Sequence, residues 1–165
     1  MGLNEAEKHA LNLGKLAGNL QSLEFALRAF LVNTEIASGS SFPQSTNLHD
    51  MDKGNIVPEN AFTNYDTLGQ LINKYNSNSR ISSVGFGIDE TLVDIHDAIA
   101  HRRVSAATYS GTLKLLKFDK PKNGQVKVTF SASLTEKWFA EQIKRVYGAV
   151  LKVNEANDKL QSGKL

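Results

Sequence analysis

Residues 13–30, LGKLAGNLQSLEFALRAF, carry the clearest structural signal in the chain. Apolar side chains recur there in steps of three and four, at Leu13, Leu16, Leu20, Leu23, Leu27 and Phe30. This spacing lines them up along one side of an α-helix, and such a stripe has to be buried against other elements. Upstream, Asn4 is followed three residues later by Glu7, which matches a helix N-terminal cap. The pattern therefore predicts a long first helix that begins near Asn4 and continues to about Val32.

A second stripe of the same kind lies toward the other end of the chain. Its members are Phe139, Ile143, Val146, Val150, Val153 and Leu160. Ser133 and Glu136 match a capping box, so we expect the last helix to start near Thr135.

Two shorter helices are predicted between the long ones. The first runs from about Thr63 to Asn76, and the second begins after Gly87 and ends at about Arg102. Their inward residues are expected to be Tyr65, Leu68, Leu71, Ile72 and Tyr75 in one, and Ile88, Leu92, Ile95 and Ile99 in the other. Residues 34–61 are rich in Ser, Asn, Gly and Pro and are interpreted as a long loop.

The hydrophobic period changes from helical to alternating at about residues 112–131. The runs LKLLKF (113–118) and QVKVTF (125–130) flank a turn near Asn123 and Gly124, which is typical of a β-hairpin. Two strands alone are marginally stable, so the hairpin must lie against the helices. The predicted fold class is mainly α, an antiparallel four-helix bundle with a β-hairpin inserted before the last helix, as one domain over residues 1–165.

Composition limits the classes of protein that the chain can belong to. The 165 residues include 41% apolar and 22% charged residues, as in ordinary globular proteins. No apolar run is long enough to cross a membrane, so we expect no membrane partner and a cytoplasmic location. The absence of cysteine excludes disulfides, thiol catalysis and thiolate zinc sites.

Positive charge is concentrated in one part of the chain. Residues 101–127 hold seven Lys or Arg and one Asp, a net charge of +6 that leaves −4 for the remainder. This asymmetry favours a polyanionic partner. The alternative is that the lysines only keep an exposed hairpin soluble.

The stretch DIHDAIAHRR, residues 94–103, concentrates titratable and cationic groups on the predicted third helix. Asp97 and His101 are four residues apart, so the carboxylate can orient the imidazole and raise its pKa. His96 and His101 diverge by about 140° around a helix, whereas histidines that share a metal sit three or four residues apart. Arg103 shares the direction of His96 if the helix continues that far. We predict neither a metal site nor a cofactor.

The segment HDAIAHRRV, residues 96–104, resembles the signature of the HEPN superfamily, the higher eukaryotes and prokaryotes nucleotide-binding domains. That signature has an arginine, a polar residue, three variable residues and a histidine on one helix of a compact helical bundle. Asp97 matches the polar position and His101 the closing histidine, while His96 stands where the family usually has arginine. The resemblance also covers LEFALRAFL (23–31) and the order of the helices.

The resemblance implies a metal-independent ribonuclease that works as a dimer, with the motif of each protomer facing a shared cleft. The catalytic residues implied are His96, Asp97, His101, Arg102 and Arg103. In such chemistry a histidine moves the proton of the ribose 2′-hydroxyl or of the leaving oxygen, and a guanidinium stabilises charge that develops at phosphorus. Because histidine lacks the permanent charge of arginine, either Arg102 or Arg103 supplies it, or His96 and His101 act as an acid and base pair.

Two classes of function follow from the sequence. The first is an RNA-cleaving or RNA-binding HEPN-like protein of a defence or toxin–antitoxin system, whose basic hairpin helps to hold phosphate. The second is a catalytically inactive helical-bundle homodimer that acts as a protein interaction module, with its third helix at the dimer interface and residues 34–61 facing a protein partner. In the second class, the cations at the helix end and the Asp97–His101 pair only stabilise the helix.

Overall fold

The computed structural model of the protein describes residues 4–39, 51–100, 103–106 and 113–165. The helices in this part of the chain are α1 (Glu5–Ala37), α2 (Leu68–Ser77), α3 (Ser79–Ser82), α4 (Leu92–Ala100) and α5 (Glu136–Gln161). The strands are β1 (Arg103–Ala106), β2 (Leu113–Phe118) and β3 (Val128–Ser133). A mainly helical chain with a small antiparallel sheet before its last helix is therefore confirmed.

The start of α1 is capped as the sequence predicts. Asn4 Oδ1 accepts a hydrogen bond from the Glu7 N–H at 2.9 Å, and Glu7 Oε2 accepts one from the Asn4 N–H at 2.8 Å. The predicted stripe is buried at Leu16, Leu20, Leu23, Leu27 and Phe30. The helix continues past Val32 to Ala37 and is closed by Gly39, whose φ of +88° suits a helix end. An apolar period cannot reveal that last turn, because its residues are mainly polar or exposed.

The residue that caps the start of α5 is not the one that the sequence pattern indicates. The Trp138 N–H donates to Thr135 Oγ1 at 3.1 Å, so Thr135 is the capping residue. Ser133 is instead the last residue of β3, paired with Lys114 of β2. The stripe of α5 is buried at Phe139, Val146, Val150, Val153 and Leu160, and Ile143 is half-buried.

The predicted start of the second helix at Thr63 is wrong. Helix α2 begins at Leu68 behind a capping box, in which Thr67 Oγ1 accepts from the Gln70 N–H at 3.3 Å and Gln70 Oε1 accepts from the Thr67 N–H at 2.8 Å. Thr63 belongs to a turn, where its hydroxyl accepts from the Asn60 N–H at 2.8 Å. Tyr65 is fully exposed and not inward-facing, whereas the other predicted inward residues are buried: Leu68, Leu71, Ile72 and Tyr75.

The predicted loop at 34–61 is partly replaced by helix. Residues 34–37 belong to α1, and residues 40–50 lie outside the described part of the chain. Residues 51–67 form turns and extended backbone, held by Arg28 of α1, whose guanidinium donates to the carbonyl oxygens of Ala61 at 2.7 Å and Asp66 at 2.8 Å.

The predicted hairpin is present as β2 and β3, and a further strand extends it. The order is β1-β2-β3 with antiparallel pairing throughout. Asn123 and Gly124 both have positive φ, 51° and 74°, as tight hairpin turns require. Strand β1 is not among the predicted elements, and Arg103 begins this strand instead of continuing the preceding helix. Hydrogen bonding to β2 therefore decides the backbone conformation of residues 103–106.

The described residues cluster into two compact units. One contains the chain up to Leu23 with Asp89–Val150, and it includes α4, the sheet and the first half of α5. Its apolar core combines residues of all these elements: Leu16, Leu20, Leu23, Leu92, Ile95, Ile99, Leu115, Phe139 and Val146. The other contains Glu24–Ile88 and Leu151–Leu165, with Phe30 and Tyr75 in edge contact at 4.9 Å between ring centres. None of the described helices has the length and apolar character needed to cross a membrane.

Candidate functional site

Helix α4 carries the candidate site on the side that it turns away from the core. Leu92, Ile95 and Ile99 are buried as predicted, which leaves Asp94 exposed and Asp97 half-buried. The turn before the helix is fixed by the Asp89 carboxylate, which accepts from the Thr91 N–H at 2.9 Å and from the Thr91 hydroxyl at 2.7 Å. The hydrophobic stripe thus determines which way the two helix carboxylates face.

Lys117 of β2 forms the central ion pair of the site. Its Nζ lies 2.9 Å from Asp97 Oδ2 and 3.4 Å from Asp94 Oδ1. The lysine side chain is 25% exposed, so the pair is only partly screened by water. Because α4 packs against β2, one ammonium group reaches carboxylates on successive turns of the helix.

The surroundings of Asp97 favour its charged form. Partial burial by itself would raise the pKa of this carboxyl, but the hydrogen bonds and charges of Lys117 and His96 outweigh it and hold the pKa below its usual range. The hydrogen bond to Asp97 correspondingly raises the pKa of the Lys117 ammonium. Both groups are therefore ionised at neutral pH.

His96 contacts the same carboxylate. Its Nδ1 lies 3.3 Å from Asp97 Oδ1, and its side chain is 34% exposed. An ionised carboxylate only accepts hydrogen bonds, so this contact favours the tautomer with its proton on Nδ1, in which Nε2 is the acceptor. The arrangement suits a histidine that accepts a proton at Nε2 and passes it on.

The other predicted site residues have different outcomes. His101 and Arg102 lie outside the described residues, so the predicted Asp97–His101 pair and the catalytic roles of both remain predictions. Arg103 was expected to align with His96 only if the helix continued that far, and this condition is not met, because Arg103 lies in β1 and pairs with Leu116 of β2. Its backbone position therefore follows from the sheet register and not from helical spacing.

Sequence reasoning missed the two cations that organise this region. Lys117 is twenty residues from Asp97 along the chain, and only the packing of a strand on a helix brings them together. Arg145 of α5 donates to Asp89 Oδ2 at 2.6 Å, to Thr91 Oγ1 at 2.7 Å and to Gln142 Oε1 at 2.6 Å. Its hydrogen bond to Asp89 lowers the pKa of that carboxyl. Local sequence patterns hold no signal for either contact.

Among the described residues, no group of three or more His, Asp or Glu side chains is placed to hold a metal ion. Comparisons of the chain with protein-family models, with curated proteins and with solved structures find no match. The function is therefore proposed from the chemistry of the site and from the resemblance of residues 96–104 to the HEPN signature.

Proposed function

We propose that the protein is a metal-independent endoribonuclease of HEPN-like type, acting in a defence or toxin–antitoxin system. The observation that carries the proposal is the His96–Asp97–Lys117 cluster, a half-exposed imidazole whose Nδ1 is held by a carboxylate that an ammonium group keeps ionised. A carboxylate that orients one ring nitrogen of a histidine leaves the other nitrogen to transfer a proton.

In the proposed reaction, one imidazole removes the proton of a ribose 2′-hydroxyl. The 2′-oxygen then forms a bond to the adjacent phosphorus as the bond to the 5′-oxygen breaks, and a second histidine protonates that leaving oxygen. His96 and His101 fill these two roles, while Arg102 or Arg103 stabilises the charge on the phosphoryl oxygens. The products are a 2′,3′-cyclic phosphate and a free 5′-hydroxyl.

The proposal includes the finer features that the sequence predicts. These are an antiparallel four-helix bundle, a homodimer with a shared cleft, a cytoplasmic location and RNA held partly by the basic hairpin. Binding of RNA by the hairpin is supported by four exposed lysines: Lys114, Lys120, Lys122 and Lys127. Exposed cations on one element attract the phosphates of a polyanion.

The experiment is RNA cleavage in the presence of EDTA by the wild-type chain and by the variants His96→Ala and His101→Ala. Loss of one proton-transfer group is expected to slow cleavage roughly 100-fold or more. His9→Phe is the matched control, because His9 lies on α1 with its ring against Phe139 at 5.4 Å, and phenylalanine keeps a ring there. Cleavage at equal rates by wild type and both alanine variants would refute the proposal.

A catalytically inactive interaction module is the second candidate, because a structural role alone also accounts for the contacts of the α4 carboxylates. Asp97 and Asp94 are both paired with Lys117, a contact that joins α4 to β2 whether or not the chain cleaves RNA. The same experiment separates the two candidates, since a module leaves RNA intact with every variant.

A further inference from the structure

A cavity next to the candidate site lies between the start of α4, β3 and the first turns of α5. We call it the Trp138 cavity; its volume is about 360 Å³. Ligand-binding cavities commonly measure about 300–1,000 Å³, so this one suits a single small ligand. All of its lining residues belong to one compact unit.

Two aromatic side chains line the cavity. Phe130 comes from β3 and Trp138 from the first turn of α5, and both are half-buried. The Trp138 ring meets Phe139 edge-on at 5.2 Å between ring centres, which restrains its orientation. A restrained, partly exposed indole provides a stacking surface for a planar ring.

Polar side chains also line the cavity, and two of them, Gln142 and Arg145, lie on the same helix as Trp138. Gln142 is only 7% exposed, and its Oε1 accepts a hydrogen bond from Arg145, which fixes the orientation of its amide group. Arg145 and Asp94 also line the cavity and add a donor and an acceptor. Arg145 is paired with Asp89 and Asp94 with Lys117, so the charges are balanced. A neutral ring with donors and acceptors along its edge suits these polar side chains better than a phosphate does.

Asp94 connects the cavity to the candidate site. It lines the cavity and also accepts from Lys117, whose Nζ bonds to Asp97 beside His96. We propose that the Trp138 cavity binds one nucleobase of an RNA strand, by stacking on Trp138 and Phe130 and by hydrogen bonds to Gln142 and Arg145. A base held there places its sugar and phosphate next to the candidate site. The inference deepens the proposed function and rests on it for RNA as the polymer.

Intrinsic fluorescence tests the proposal, because Trp138 is the only tryptophan of the chain. The purified chain is titrated with UMP and AMP, excited at the red edge of the tryptophan band and corrected for nucleotide absorption with free tryptophan. Both nucleotides are expected to change the emission saturably, whereas ribose 5-phosphate, which lacks a base, is expected to leave it unchanged. Equal responses to all three compounds, or no saturable response to either nucleotide, would overturn the proposal.

Two variants connect the signal to the cavity. Phe130→Leu and Gln142→Leu are each expected to raise the dissociation constant roughly fivefold or more, since one stacked or hydrogen-bonded contact is lost. Phe25→Leu, an exposed aromatic position in the other unit, is the matched control and should bind as wild type does. Because Phe130 is only half-buried, we expect Phe130→Leu to stay folded even if Gln142→Leu unfolds. Circular dichroism checks the fold of both variants. Unchanged affinity in folded Phe130→Leu would place the binding elsewhere.

Mononucleotides contain no cleavable internucleotide bond, so this experiment is independent of the nuclease assay. Saturable UMP binding by a chain that does not cleave RNA would support the nucleobase site and refute only the nuclease activity. RNA cleavage by a chain whose tryptophan emission does not respond to the nucleobase would refute the nucleobase site and support the nuclease activity.

Discussion

Asp97 holds two nitrogen groups at once, the Lys117 ammonium through Oδ2 and the His96 ring through Oδ1. Its partial burial is unfavourable for a charge, and these two contacts offset that cost. A single half-buried carboxylate thus joins α4 to β2 and orients the histidine ring. Stability and the proposed chemistry depend on the same residue.

Lys117→Met tests this role through the pH dependence of stability. At pH 7 the variant is expected to lose about 0.5–1 kcal/mol of unfolding free energy, because it removes a partly screened ion pair. The folded-state pKa of Asp97 lies below its ordinary value of 3.8, so the stabilisation is complete above that pH and disappears as the pH falls through the folded-state pKa. The difference between wild type and variant, measured by urea unfolding, should therefore shrink when the pH is lowered from 7 to below 3.8.

Lys114→Met is the matched control, because Lys114 is an exposed lysine on the same strand. It should leave the unfolding free energy within about 0.5 kcal/mol of wild type at both pH values. An equal loss in the two variants would show that the Lys117–Asp97 pair contributes nothing specific.

At the level of elements, the start of α5 distinguishes the sequence prediction from the structure. Thr135→Ala removes the hydroxyl that accepts the Trp138 N–H and is expected to cost about 1 kcal/mol. Ser133→Ala changes the residue that the sequence pattern favoured as the cap, and it should cost less than about 0.5 kcal/mol at this exposed strand position. Unfolding free energies from urea titration measure both, and a larger loss for Ser133→Ala would contradict the assigned cap.

Helices with strong periodic stripes could be predicted from the sequence, and elements that depend on distant partners could not. The cap of α1 was correct because Asn4 and Glu7 act on each other locally. Strand β1 was missed because a run of four residues is too short to stand out directly after a helical pattern, and it forms a strand by pairing with β2.

The same distinction between local patterns and distant contacts applies to the residues of the candidate site. His96 and Asp97 could be singled out from a local motif, and they do contact each other. Lys117 and Arg145 could not, because their contacts join separate elements of the fold.

At the scale of the whole molecule, the distribution of charge agrees with the proposed substrate. The chain has a net charge of only +2, but its excess of positive charge is confined to residues 101–127. Lys117 pairs with acidic groups of α4, while the other hairpin lysines are exposed. Their exposure leaves them able to meet the phosphates of an RNA strand near the cluster that we propose to act on it.

The central claim is that histidines of this chain cleave RNA through the 2′-oxygen without a metal, and the chemistry of the cut ends tests it most directly. A synthetic single-stranded RNA is incubated in EDTA with wild-type protein and with His96→Ala prepared identically, and the product ends are identified by mass spectrometry. We predict 2′,3′-cyclic phosphate and 5′-hydroxyl ends with wild type, and their near absence with the variant. Products ending in 3′-hydroxyl and 5′-phosphate, or identical products from wild type and variant, would contradict the claim.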